Sequence, residues 1–303
     1  MQPPAVADWP THFLHYLRVE RQLSPHTLTN YQRDLERLQQ LLSEHQLPDW
    51  AELDEAALRY AIGQLHADGL SGRSLQRLLS ATRALYRFLA REGWMQRNPA
   101  LSVQAPKASR RLPQTLDTEQ VGALLEVQGD EPLDIRDRAM MELIYSSGLR
   151  VSELVGIDMR DIDLAEGALT VLGKGNKTRL LPVGRLAVEA IRAWLPIRGT
   201  LASPDETALF VGTRGRRLTT RAVEQRLRRR GEEQGTQGRV YPHRLRHSFA
   251  SHMLESSGDL RAVQELLGHA NISTTQIYTH LDFQHLMEVY EQAHPRARQK
   301  RDD

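Results

Sequence analysis

Four short segments of this chain hold residue types suited to a phosphodiester. Gly148-Leu149-Arg150 puts a guanidinium directly after a turn glycine, and Gly173-Lys174-Gly175-Asn176-Lys177 puts Lys174 at a flexible tip. His243-Arg244-Leu245-Arg246-His247 sets His243 and Arg246 three apart, so that on a helix they share a face. Leu267-Gly268-His269 closes a helical pattern, and Tyr278 follows nine positions later. Phosphoryl transfer places charge on equatorial oxygens, and Arg150, Arg246 and Lys174 could balance it without Mg²⁺. Arg offers paired donors to non-bridging oxygens, and His can give or take a proton near neutral pH. Lys can act as an acid if its surroundings lower its pKa, which Arg cannot do. A Tyr hydroxyl can be the covalent nucleophile. Tyr241, Tyr278 and Tyr290 all lie in the last third, and spacing does not choose among them.

Each segment also has a plainer reading. Gly173-Lys174 resembles a P-loop only superficially: Gly167 is one position too far back, Gly175 replaces the hydroxyl residue, and the context is strand–loop–strand. His243 and His247 mimic H-E-x-x-H, but Arg stands where the Glu should be, and two guanidiniums oppose a divalent cation. Taken singly, Lys174 fits a phosphate contact or solvated tip, Arg150 an ion pair at a helix start, and His243 with Arg246 a cap and a salt bridge. Tyr278 alone fits a packing residue with a wet hydroxyl. The combination carries the chemistry.

These residues need elements to position them. Residues 8–93 read as four helices, with apolar positions such as Leu28, Tyr31, Leu35, Leu38 and Leu42 at helical spacing and Ser24-Pro25 as a helix start. Periodicity then fails across the proline-rich, basic stretch Asn98–Pro113. This divides the chain into an N-terminal helical domain (1–98), a basic linker (99–115) and a C-terminal domain (116–303). In the last, helices are expected at 118–127, 134–147, 184–195, 219–233, 243–256, 259–267 and 282–293. The runs 168–172 and 178–182 flank the Gly- and Asn-rich tip as a β-hairpin. The fold class is therefore mainly α with a small antiparallel β-sheet.

Composition narrows the function. The 303 residues contain no Cys, which excludes thiol nucleophiles, disulfides and thiolate metal sites, and suits a reducing compartment. No apolar run approaches a membrane span, and Met1-Gln2-Pro3-Pro4 lacks a signal-peptide layout, so a soluble cytoplasmic protein is expected. The net charge of +2 hides an asymmetry. Between Phe210 and Ala250 stand eleven Arg and three Glu, so the rest of the chain is net negative by six. Such a local excess suits phosphates, although a solvated basic helix would carry it equally well. Only four of the 40 basic residues are Lys, which makes Lys174 conspicuous.

The ordered set Gly148-Leu-Arg150, hairpin Lys174, His243-x-Leu-Arg246-His, Leu267-Gly-His269 and Tyr278 resembles the tyrosine recombinases of phage-integrase type, from the helical N-domain to the tail. His243–His280, and Leu281-Asp-Phe-Gln-His285 through Ala293-His-Pro-Arg296, are similar to the bacterial Xer recombinases, the XerC-like branch over the XerD-like. Ser251 stands where relatives often carry Thr, with no consequence expected for chemistry. The resemblance implies a SAM-like N-terminal bundle and a catalytic domain that together form a C-shaped clamp on duplex DNA. It implies that Tyr278 attacks the scissile phosphate to form a 3′-phosphotyrosyl link, with Arg150 and Arg246 on the non-bridging oxygens. Lys174 would protonate the leaving 5′-oxygen, His243 would act as acid/base toward Tyr278, and His269 would hydrogen-bond the phosphate, with Glu153 in support. No cofactor and no metal is implied. The C-terminal helix would dock into a neighbouring subunit. The implied partners are a specific DNA site, a XerD-like recombinase in a heterotetramer with two of each, and an FtsK-like DNA translocase, for resolving chromosome dimers at cell division.

Two other classes share parts of this inventory. A type IB topoisomerase-like enzyme would relax supercoils as a monomer without site preference. A non-catalytic helical DNA-binding regulator would use Tyr278 structurally. The short helical N-domain and the tail argue against the first, and the complete constellation against the second.

Overall fold

Three of the first four helices begin on a side chain that fills an open backbone donor. In the computed structural model, Ser24 accepts from the Thr27 N–H ahead of α2 (Pro25–Glu44), Asp54 from Ala57 ahead of α3 (Glu55–Ala67), and Ser71 from Ser74 ahead of α4 (Gly72–Arg91). With α1 (Trp9–Val19) they enclose a core of leucines and aromatics, to which α4 gives Leu75, Leu78, Leu79, Leu85 and Leu89. Two arginines of α4 hold its surroundings. Arg77 grips buried Asp34 of α2 with Nε and Nη2 at 2.7 and 2.9 Å. Arg83 donates to the Ala100 and Val103 carbonyls at 2.8 and 2.7 Å, clamping the chain that leaves the bundle.

The structure describes residues 3–106, 115–127, 129–173, 178–236, 238–268 and 280–297, with the side chains of 280–282 left aside. It divides into two compact units, Met1–Arg111 and Leu112–Asp303. The fold class is as expected, with helices throughout and one small antiparallel sheet.

In the second unit α5 (Thr118–Leu125) opens on an Asp117–Gln120 capping box, and the Leu116 N–H just before it donates to Ser248 Oγ at 2.8 Å. The long helix α6 (Pro132–Ser147) is buried along almost its whole length. It packs against α8 (Arg185–Leu201) and α10 (Pro242–Ser257). Between α6 and α8 lie the short α7 (Val151–Gly156) and the sheet β1 (Ile162–Asp163), β2 (Ala168–Leu172) and β3 (Thr178–Pro182). The strands run antiparallel in that order, with Leu169 opposite Leu181 and Val171 opposite Arg179. The remaining helices are α9 (Thr220–Glu233), α11 (Leu260–Leu267) and α12 (His280–Ala293).

One boundary in the second unit departs from expectation by more than two residues. The helix expected to end at residue 195 continues through Pro196 to Leu201. Proline removes one backbone donor and crowds the preceding turn. Side-chain anchors hold the helix on both sides of it: Trp194 Nε1 donates to the Leu209 carbonyl at 2.9 Å, and Arg198 Nε to that of Ala208 at 2.8 Å.

Candidate active site: guanidiniums around Glu153

The turn after α6 is built by Gly148, whose φ of 58° lies in the left-handed region. A Cβ there would stand 2.4 Å from the Phe249 ring, so both conformation and space require glycine. This brings Arg150 to the start of α7. There the Glu153 carboxylate turns back, accepting from the Arg150 backbone N–H at 2.8 Å and from its Nη1 at 2.7 Å. Glu153 is 4% exposed while Arg150 is 40% exposed, so the pair is anchored below and open above.

Two further guanidiniums converge on the same carboxylate. Arg179 of β3 donates Nη1 and Nη2 to the two Glu153 oxygens at 3.0 and 3.1 Å. Arg246 of α10 lies 3.8 Å from Glu153 Oε2 and spends its own donors on backbone, on Gly148 O at 2.5 Å and Leu267 O at 2.6 Å. Three cations thus face one anion. Burial, the largest influence on Glu153, pushes its pKa up, but the hydrogen bonds and charge of Arg179, with the two hydrogen bonds of Arg150, bring it below the usual value. Arg246 is pulled down to about 10, first by burial and then by Arg150. A group of this charge surplus stores repulsion that an incoming anion would relieve.

His243 is exposed on the first turn of α10, with its ring 4.1 Å from that of His247. Burial, then His243 and Arg246, lowers the His247 pKa. Lys174, His269 and Tyr278 lie outside the described residues. Of the other tyrosines, Tyr290 is shut in the core, its hydroxyl 2.7 Å from Ser146 Oγ and its pKa pushed up by burial, which disqualifies it as a nucleophile. Tyr241 is exposed directly before α10.

The basic stretch 210–250 proves less open than its composition suggests. Arg217 pairs with Asp158, Arg226 with Asp137, and Arg228 and Arg229 with Glu232 and Glu233 one turn on. Arg214, Arg216, Arg221 and Arg239 are exposed and make no ion pair among the described residues. Sequence reasoning overlooked Arg179. The signal that could have found it is parity, because in β3 it shares its face with buried Leu181.

Comparison with known proteins places these features in a class. Residues 114–285 match the model of the phage integrase family, and residues 11–93 that of the phage integrase N-terminal SAM-like domain. The chain belongs to the phage integrase family of tyrosine recombinases, as its motifs indicated. Among its relatives, the tyrosine recombinase XerC of Pseudomonas aeruginosa is 56% identical over 95% of each chain. That of Actinobacillus pleuropneumoniae is 51% identical over 95% of this chain and 94% of the relative. The fold is similar to the crystal structure of XerH site-specific recombinase in a post-cleavage complex (TM-score 0.75, 22% identity, 94% of this chain and 95% of that one). The protein is thus an enzyme, a XerC-type site-specific recombinase.

Proposed function

We propose that this recombinase cuts and rejoins duplex DNA through a covalent tyrosyl intermediate, with the roles that the family resemblance assigns. The observation that supports this best is the surplus of guanidinium charge around Glu153, open to solvent at Arg150. Tyr278 Oη attacks the scissile phosphorus, and the bond to the 5′-oxygen breaks. His243 takes the Tyr278 proton, and Lys174 gives one to the leaving 5′-oxygen. Arg150 and Arg246 hold the non-bridging oxygens, and His269 donates a further hydrogen bond. The phosphotyrosine keeps the energy of the diester, so a 5′-hydroxyl from the partner strand reverses the step and seals the joint without ATP.

In this reading residues 1–98 grip one face of the duplex, 99–115 form the linker and 116–303 carry the catalysis. The chain acts in the cytoplasm with a XerD-like recombinase, two of each on one DNA site, in concert with an FtsK-like translocase, and resolves chromosome dimers at division. Among the described residues no helix is long and apolar enough to cross a membrane. The test is trapping on nicked duplexes carrying candidate sites. Wild type should accumulate a covalent 3′-adduct and Tyr278→Phe should bind without forming one. An adduct that survives in Tyr278→Phe and disappears in Tyr241→Phe would overturn the assignment.

A further inference from the structure

Arg179 differs from the other cations of the site in touching the supports of two of them. Its fork fixes the plane of the Glu153 carboxylate, on the same two oxygens that receive the Arg150 side chain and backbone N–H. Its guanidinium also lies against the Gly268 turn: a Cβ there would sit 2.9 Å from Nη1 and 3.1 Å from Nε. Gly268, with a φ of 63°, ends α11 directly after Leu267, whose carbonyl takes Arg246 Nη2. Arg179 therefore braces α7 and the end of α11 from β3.

Stability does not account for it. Its Nε–H is buried and has no acceptor among the described residues. A buried ion pair gives little net stability over well-packed apolar side chains, and an unfilled buried donor is a further cost. The feature that a Met or Leu could not supply is direction. Arg150 and Arg246 repel one another, and after burial, the larger cause, the charge of Arg150 lowers the pKa of Arg246. Their spacing must be imposed by groups that are themselves held.

We propose that Arg179 is a positioning residue for phosphate cleavage: its guanidinium locks Glu153 and the Gly268 turn together, and so sets where Arg150 and Arg246 present their charge. The proposal rests on the recombinase reading above. It assigns Arg179 no contact with DNA. It also makes a distinction that a purely structural arginine would not. If Arg179 serves the cations, its loss should matter most where the substrate carries a full negative charge on the non-bridging oxygens.

The experiment uses the full chain and a nicked duplex that wild type cleaves, in two versions: a native scissile phosphate and a neutral methylphosphonate. Removing an outer partner that orients a reactive group typically costs about 10–100-fold. Arg179→Gln should lose that factor in single-turnover cleavage of the phosphate, with DNA binding little changed. On the methylphosphonate its deficit relative to wild type should shrink by about tenfold or more, because there is less charge to balance. Arg179→Lys, which keeps the charge and loses the fork, should fall between. Near-wild-type cleavage by Arg179→Gln, or an equal deficit on both linkages, would overturn the proposal, the second result being that of a loosened fold. Should the Gln variant fail to fold, the same two-linkage comparison is made with Arg179→Lys. Wild type and Tyr278→Phe run alongside. No adduct with wild type removes the recombinase reading, whereas a Tyr278-dependent adduct indifferent to Arg179 removes this proposal alone.

Discussion

Glu142 and Glu153 sit on successive helices, both almost without solvent contact, and their settings are opposite. Glu142 meets one guanidinium, Arg296, through Nη2 at 2.5 Å and Nε at 3.1 Å, while burial raises its pKa. Glu153 meets three, and its pKa is lowered. The first set is balanced and closed. The second is over-supplied with cation and opens at Arg150. Buried charge of matched sign count ties the tail to α6, whereas a surplus aims at something not yet bound.

Substitutions can break this contrast, the largest effect coming first. Arg296→Ala strands a buried carboxylate and should cost about 3–5 kcal/mol of stability at neutral pH. Chemical denaturation should show the loss shrinking on acidification, because Glu142 with its raised pKa then takes up a proton. Adding Glu142→Gln should recover most of it. Arg246→Ala should instead show its main loss in chemistry, slowing single-turnover cleavage by about 10²–10³, the range for one oxyanion-type donor. The pair Arg179→Met with Glu153→Gln sharpens the point, since Tm should return toward wild type while cleavage does not.

A smaller effect lies in pH. His294 packs on Tyr145 and Tyr290, and burial pulls its pKa down to about 3, so it folds neutral. The unfolded chain takes that proton first, so stability is complete above the ordinary His value. It falls by about 1.4 kcal/mol per pH unit below that value. Denaturation midpoints of His294→Phe should show this slope reduced by one proton; an unchanged slope would contradict a neutral buried ring. Smallest of all, Arg228→Ala and Arg229→Ala should leave Tm unmoved, because their partners are exposed glutamates on the same helix.

Much of this was legible in the sequence. The hairpin arms 168–172 and 178–182 were readable because β-prone runs flank a turn signal. Ser24-Pro25 and Asp117-x-x-Gln120 announced helix starts by local chemistry. Of α7 only the start at Arg150 was legible and not the extent, because six residues give periodicity too little length. Pro196 misled, since the anchors that carry the helix past it, Leu209, Ala208 and Glu206, come later in the chain. In the site, Arg150, Arg246 and Glu153 were visible as motifs and do meet. The charge count over 210–250 overestimated the open surface, because Asp137 and Asp158, from outside that window, neutralise Arg226 and Arg217.

The clamps at Arg83 and at Ser248 also set a length. One fixes the chain at Val103 and the other at Leu116, so thirteen Cα steps of chain join the two anchored positions. Thirteen Cα steps reach at most about 45 Å. Two binding modules joined through so short a span meet a common partner at an effective concentration of about millimolar order. In the proposed reading, capture of DNA by both units is then a single event followed by an intramolecular one. Lengthening the tether would weaken the second step with no contact changed.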